Sequence, residues 1–158
     1  MINNYLGILE DSLQKKVAVL DEIAEQNLKQ EDLLKQDKLD IEAFDGIVDK
    51  KDELIHNLLK LDEGFETLYD RVREQLQANQ DSYKSQIARM QQLIKQITDK
   101  NVSIQAQETR NKKMVEDYFA KEKSSIRVGR QASKAAYDYY KNMSNTRQVP
   151  PQFLDQKN

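Results

Sequence analysis

The stretch that decides the fold runs from residue 44 to residue 72 and reads FDGIVDKKDELIHNLLKLDEGFETLYDRV. Two series of apolar residues run through it at seven-residue spacing. The first series is Phe44, Leu58, Phe65 and Val72, with Lys51 in the remaining place. The second series is Ile47, Leu54, Leu61 and Leu68. Because this repeat is sustained over four heptads, it predicts a long helix that packs in the manner of a coiled coil.

The segments on either side carry the same kind of pattern. In the first segment the spaced residues are Leu6, Leu13 and Leu20, with Ile2, Leu9 and Ile23 in the partner position and Lys16 as an interruption. In the third segment they are Tyr83, Met90, Ile97 and Ile104, with Ile87, Ile94 and Asn101 as partners. Polar breaks at 35–40 and 77–82 separate the segments, and Asp40 is suited to cap a helix N-terminus. The pattern therefore predicts helices at about 2–34, 40–77 and 82–119.

Short breaks between long helices imply antiparallel neighbours. We therefore predict an all-α fold, an elongated antiparallel bundle of three long helices, over residues 1–119. Asn101 is expected to be buried and to fix either the register of the helices or the oligomeric state, at a cost in stability. Residues 105–113 have almost nothing apolar to bury, and Gly64 is a candidate for close contact between helices. Residues 120–158 are predicted to form a partner-binding tail with a short helix at about 131–143.

Composition favours this class of protein. Charged residues make up 33% of the chain, while glycine and proline together number only six, which suits long helices with charged surfaces. The absence of cysteine excludes disulfides and thiolate metal sites. We find no signal-peptide pattern at the N-terminus and no apolar run of the length that a membrane span needs. The sequence is therefore expected to be that of a soluble cytoplasmic protein without stable membrane insertion.

The two halves of the chain carry opposite charge. Residues 1–80 contain 10 Lys/Arg and 19 Asp/Glu, whereas residues 81–158 contain 15 and 8. The halves would attract each other if they folded back together, although solvated helix faces also account for most individual charges.

We find no pattern of catalytic or metal-binding residues. His56 is the only histidine and lies off both heptad positions of its helix, so it lacks the converging partners that such sites need. Acidic neighbours such as Asp52 and Glu53 point about 100° apart on a helix and do not form a catalytic pair. No glycine-rich phosphate loop is present. We therefore expect a protein that is not an enzyme and uses no cofactor.

The C-terminal segment is basic and rich in aromatic residues. Seven basic residues and two acidic ones lie between Lys121 and Arg147. Such a segment would suit phosphate and base contacts, but the acidic N-terminal half argues against a nucleic-acid partner. Tyr137 and Tyr140 would share one face of the short helix, which docks either on the bundle itself or on another protein. The candidate partner-binding residues are Met114, Val115, Tyr118, Phe119, Ile126, Val128, Tyr137, Tyr139, Tyr140 and Met143.

Residues 37–76, DKLDIEAFDGIVDKKDELIHNLLKLDEGFETLYDRVREQL, resemble the FlgN-like flagellar export chaperones. In that family a first helix with an apolar repeat leads through a polar turn into a second helix. The second helix carries a short motif of acidic residues and lysines, which is DKKDEL at 49–54 in this chain. The C-terminal end, with its tyrosine-containing segment and the FLDQK ending at 153–157, is also similar to members of the family.

The resemblance implies a cytoplasmic chaperone that binds hook–filament junction proteins, also called hook-associated proteins, without ATP or metal. Such chaperones prevent premature assembly of their cargo and deliver it to the export gate. The family places cargo binding in the C-terminal region and implicates a tyrosine there in docking at the gate, which matches Tyr137, Tyr139 or Tyr140. The alternative is a structural or adaptor protein that forms homo-oligomers through the heptads of Leu54, Leu61 and Leu68.

Overall fold

A computed structural model of the chain describes residues 2–122, which form three long helices: α1 (Ile2–Leu34), α2 (Ile41–Ala78) and α3 (Lys84–Glu122). A short 3-10 helix, Gln80–Tyr83, joins α2 to α3. The prediction of an all-α bundle of three helices is confirmed. The predicted short helix at 131–143 lies outside the described residues.

The ends of α2 are fixed by side chains that the sequence places at its caps. The carboxylate of Asp40 accepts a hydrogen bond of 3.1 Å from the backbone N–H of Ala43, as predicted for an N-cap. At the other end, Asn79 donates its side-chain amide to the carbonyl of Gln75 at 2.8 Å. These two residues bound a helix of 38 residues, which is about 57 Å long at 1.5 Å per residue.

Ion pairs between helices define their directions. On α3, Arg89 contacts Glu10 and Lys100 contacts Asp21, and both partners lie 79 residues earlier on α1. A constant offset means that α1 and α3 run parallel. The α2 helix, which lies between them in sequence, runs antiparallel to both. These pairs join acidic side chains of the first half to basic side chains of the second half across α1 and α3. The backbone of α1 approaches both other helices closely, whereas α2 and α3 lie farther apart.

Burial follows the heptads of α1 throughout, at alternating steps of three and four residues. The buried positions of this helix are Leu6, Leu9, Leu13, Lys16, Leu20, Ile23, Asn27, Gln30 and Leu34. Three of these nine positions, Lys16, Asn27 and Gln30, carry polar side chains, and Lys16 is the residue that interrupts the apolar repeat. A narrow seam between helices therefore holds polar as well as apolar side chains.

The second apolar series of α2 is a point where the sequence prediction is wrong. Leu54 is buried, but Ile47, Leu61 and Leu68 are only half-buried. The fully buried second line lies one residue further along and consists of Val48, Ile55, Tyr69 and Leu76. Asp62 lies on that same line and contacts Lys16 of α1, so this side of α2 faces α1.

Gly64 does not serve close packing. It is exposed, and a Cβ built at this position would meet no atom within 4 Å. It lies instead in an open surface depression on α2, beside Leu68 and Arg71. No helix within residues 2–122 has the length and apolar character to cross a membrane.

Candidate functional site

The apolar core consists of two separate clusters. The proximal cluster fills the end of the bundle that holds the N-terminus of α1 and extends along α3 to Ile104. The distal cluster lies at the opposite end and consists of Leu34, Leu39, Phe44, Val48, Val115 and Phe119. Leu33, Met114 and Tyr118 pack against the distal cluster while remaining partly exposed.

Four of the candidate partner-binding residues belong to this distal region of α3. Val115 and Phe119 are each 2% exposed. The Tyr118 ring stands edge-on to the Phe119 ring, with 5.3 Å between centroids. The expectation that Val115 and Phe119 are free for a partner therefore needs correction, because in this conformation both complete the core of the bundle. Met114 and Tyr118 keep an accessible side.

The other six candidates lie outside the described residues. They are Ile126, Val128, Tyr137, Tyr139, Tyr140 and Met143. Their assignment to a partner-binding segment stays a prediction.

A buried polar layer separates the two clusters. It consists of Asn27 and Gln30 on α1, Lys51 on α2, and Glu108 and Asn111 on α3, each no more than 2% exposed. The Lys51 ammonium donates to Glu108 Oε1 at 2.6 Å and to Gln30 Oε1 at 3.1 Å. The Asn111 amide donates to the carbonyl oxygen of Asn27 at 3.0 Å and to Gln30 Oε1 at 3.1 Å. The layer therefore connects all three helices at one level of the bundle.

Burial acts on both charges of the layer. It lowers the pKa of Lys51, while the Glu108 carboxylate partly offsets this by favouring the ammonium form. Burial likewise raises the pKa of Glu108, and Lys51 and the Asn27 amide act in the opposite direction. For both groups the loss of hydration shifts the pKa more than the attraction between the two charges does. Keeping both buried groups charged therefore costs free energy.

Several polar atoms of the layer make no hydrogen bond to any part of residues 2–122. They are Asn27 Oδ1, Gln30 Nε2, Glu108 Oε2 and Asn111 Oδ1. A buried polar atom without a partner lacks the hydrogen bond that water would give it, at a cost of about 1–3 kcal/mol. The layer is therefore the weakest level of the core.

A second buried pair joins α1 to α2 within the proximal region. Lys16 Nζ lies 2.6 Å from Asp62 Oδ1, with side-chain exposures of 5% and 13%. Burial lowers the pKa of Lys16, and Asp62 partly offsets this effect. Because Asp62 reaches the edge of the bundle, this pair is less enclosed than Lys51 and Glu108.

Sequence reasoning missed the polar layer. It treated Lys51 as a gap in a heptad and residues 105–113 as having almost nothing to bury, whereas Glu108 and Asn111 in that stretch are nearly fully buried. The available signal was their spacing: Glu108 lies seven residues after Asn101, and Asn111 lies seven after Ile104. Asn101 itself is 7% exposed, which confirms its predicted burial.

His56, the single histidine, is exposed on α2. Within residues 2–122, no group of three or more histidine, aspartate or glutamate side chains is arranged to hold a metal ion. No protein-family model, curated protein or solved structure matches the chain.

Proposed function

We propose that this protein is a cytoplasmic chaperone of the flagellar type III export apparatus. It binds hook–filament junction proteins, prevents their premature assembly and delivers them to the export gate. The observation that carries the proposal is the resemblance of residues 37–76 to FlgN-like chaperones. These residues form the end of the first polar break, the Asp40 cap and α2 as far as Leu76.

The distal end of the bundle supports a binding role. Met114 and Tyr118 keep accessible apolar surface there, and the basic segment that follows residue 122 begins at the same end. Assembly proteins of this kind present amphipathic helices, which bind in apolar grooves through residues spaced three and four apart. An adaptable surface of methionine and tyrosine is suited to such a helix.

The alternative is a coiled-coil adaptor that self-associates through its heptads. In the structure Leu54, Leu58 and Phe65 are buried within the same chain, whereas Leu61 and Leu68 are half-buried. Part of the apolar surface that an external copy would need is therefore used within one molecule, which counts in favour of the chaperone. Light scattering on the isolated protein tests the alternative, and a stable homo-oligomer would support it.

The chaperone proposal is tested by mixing the purified full chain with a purified junction protein and measuring the complex by size-exclusion chromatography with light scattering. We expect a complex of defined stoichiometry. A junction protein that elutes unbound at concentrations of each protein near 50 µM, about the weak end of specific interactions, would refute the proposal.

The role of the C-terminal segment is tested with a chain ending at Glu122. This truncation keeps Val115 and Phe119 in the core, so circular dichroism should show an intact bundle. Loss of cargo binding is expected, and retained binding would contradict the assignment of the segment. Y137A/Y140A is expected to weaken binding more than Y139A does, because Tyr137 and Tyr140 share a face of the predicted helix.

A further inference from the structure

The distal cluster is a small unit that only a few side chains hold closed. Its α3 contribution is limited to Val115 and Phe119, with Met114 and Tyr118 at the margin. On the other side lie Leu34 and Leu33 at the end of α1, Leu39 in the following break, and Phe44 and Val48 at the start of α2. Among residues 2–122, only the end of α3 covers this apolar surface from the third side of the bundle.

The polar layer separates this unit from the rest of the core. On the N-terminal side of the layer, α3 packs through Ile104 into the proximal cluster, and on the C-terminal side it packs through Val115 into the distal cluster. If the end of α3 moved away, the buried polar atoms of Glu108 and Asn111 would regain water, whereas the proximal part of α3 buries mainly apolar side chains, with Asn101 as its polar exception. Opening at the layer is therefore less costly than opening anywhere along the proximal seam.

We infer that residues 111–122 of α3 open away from the distal cluster while the proximal cluster stays packed, and that the apolar surface exposed by this opening binds an amphipathic helix of the exported partner. That the partner is an export cargo rests on the function proposed above. The opening itself is a property of the free chain and can be measured without any partner.

The surface itself specifies the chemistry of the helix that fits. The segment that now occupies it presents apolar side chains at 114, 115, 118 and 119, a spacing of one helical face. A partner helix with the same spacing would fill the same positions. Residues 31–48, which frame the surface, carry six acidic residues and only two basic ones, Lys35 and Lys38. A partner helix with basic residues beside its apolar face is therefore favoured.

The opening is tested by thiol labelling, since the chain has no cysteine of its own. V115C and I104C place single thiols on α3 at two positions that are 2% and 1% exposed, one on each side of the layer. We expect V115C to react faster than I104C by on the order of tenfold, because local opening exposes only the first. Equal rates would mean that the bundle opens as one unit and would overturn the inference.

Ordinary fraying of a helix end is distinguished by hydrogen exchange on the cysteine-free chain. K51M/E108L replaces the buried pair with apolar side chains and joins the two clusters. We expect it to slow amide exchange in residues 111–122 by on the order of tenfold. K16M/D62L makes the same chemical change in the proximal region and is the matched control. Exchange in 111–122 that K51M/E108L leaves unchanged would overturn the role of the layer.

The docking surface is tested by adding a purified junction protein to V115C and to L39C. Leu39 belongs to the surface that stays with α1 and α2, so bound partner should slow labelling of L39C while it speeds labelling of V115C. A complex that forms without protecting L39C overturns the docking surface. A junction protein that does not bind at all overturns the proposed function and with it the partner, whereas the V115C rate in the free chain still decides the opening.

Discussion

Replacing Lys51 by methionine removes the ammonium group that lies 2.6 Å from the Glu108 carboxylate and keeps an unbranched side chain that is one heavy atom shorter. The two side chains are 3% and 2% exposed, so water cannot take the place of the lost partner. Removing one member of a buried ion pair typically costs about 3–5 kcal/mol, because the other charge stays buried and uncompensated. We expect the free energy of unfolding of K51M to fall by about this amount.

The double variant K51M/E108L removes both charges and is expected to lie between neutral and about 4 kcal/mol more stable than the wild type. K50M, at the exposed neighbouring lysine, is the control and should change the free energy of unfolding by less than about 0.5 kcal/mol. Urea titrations followed by circular dichroism at pH 7 give all three values by linear extrapolation. A loss of less than about 1 kcal/mol in K51M would refute the reasoning, since it would mean that Glu108 reaches water without its partner.

Three further predictions concern pH and local helix structure. The stability advantage of K51M/E108L over the wild type should grow as pH rises from about 4.5 toward 7. The reason is that the raised pKa of Glu108 lets the folded wild type keep a proton that the unfolded chain has already lost. Urea titrations across this pH range measure the difference in free energy of unfolding, and a constant difference would contradict the prediction. G64A should raise the free energy of unfolding by about 1 kcal/mol, since Gly64 is exposed within α2 and the added Cβ meets nothing, and a lower melting temperature would contradict this. D40A should lower the free energy of unfolding by about 1 kcal/mol, because the N-cap hydrogen bond of α2 is lost. D37A, in the same polar break, is the control, and equal melting temperatures for the two variants would count against the cap.

Helix bounds were predictable because local signals mark them. The apolar repeat of α1 predicts residues 2–34 and agrees with the structure, and Asp40 begins α2 through the hydrogen bond that its residue type suggests. The side of α2 that is buried was less predictable. Leucines at 61 and 68 look like seam residues in the sequence, but the wide spacing of α2 and α3 leaves them half-buried, while Tyr69 takes the seam.

Heptad spacing indicates that Glu108 and Asn111 are buried, but the pairing within the polar layer could not be predicted because it depends on the alignment of three helices. Lys51 alone is an interruption, and Glu108 alone belongs to a polar stretch. Only the offset between α2 and α3 brings the two together, and no residue-by-residue pattern contains that offset. For the same reason Val115 and Phe119 looked like spare apolar surface, since their partners Leu39 and Phe44 are about 75 residues away in sequence.

The layer that weakens the core also fixes the register of the helices. Lys51 reaches Gln30 and Glu108 together only in the observed alignment. A slip of α1 by one heptad toward its C-terminus would place the apolar Ile23 where Gln30 now accepts from the ammonium, and the loss of a partner for a buried charge would oppose that slip. The same residues therefore hold the three helices in one alignment and provide the level at which the distal end of α3 can separate. A bundle with an apolar pair in this place would be more stable and would lose both properties, which is why K51M/E108L tests the structure and the proposed binding mode together.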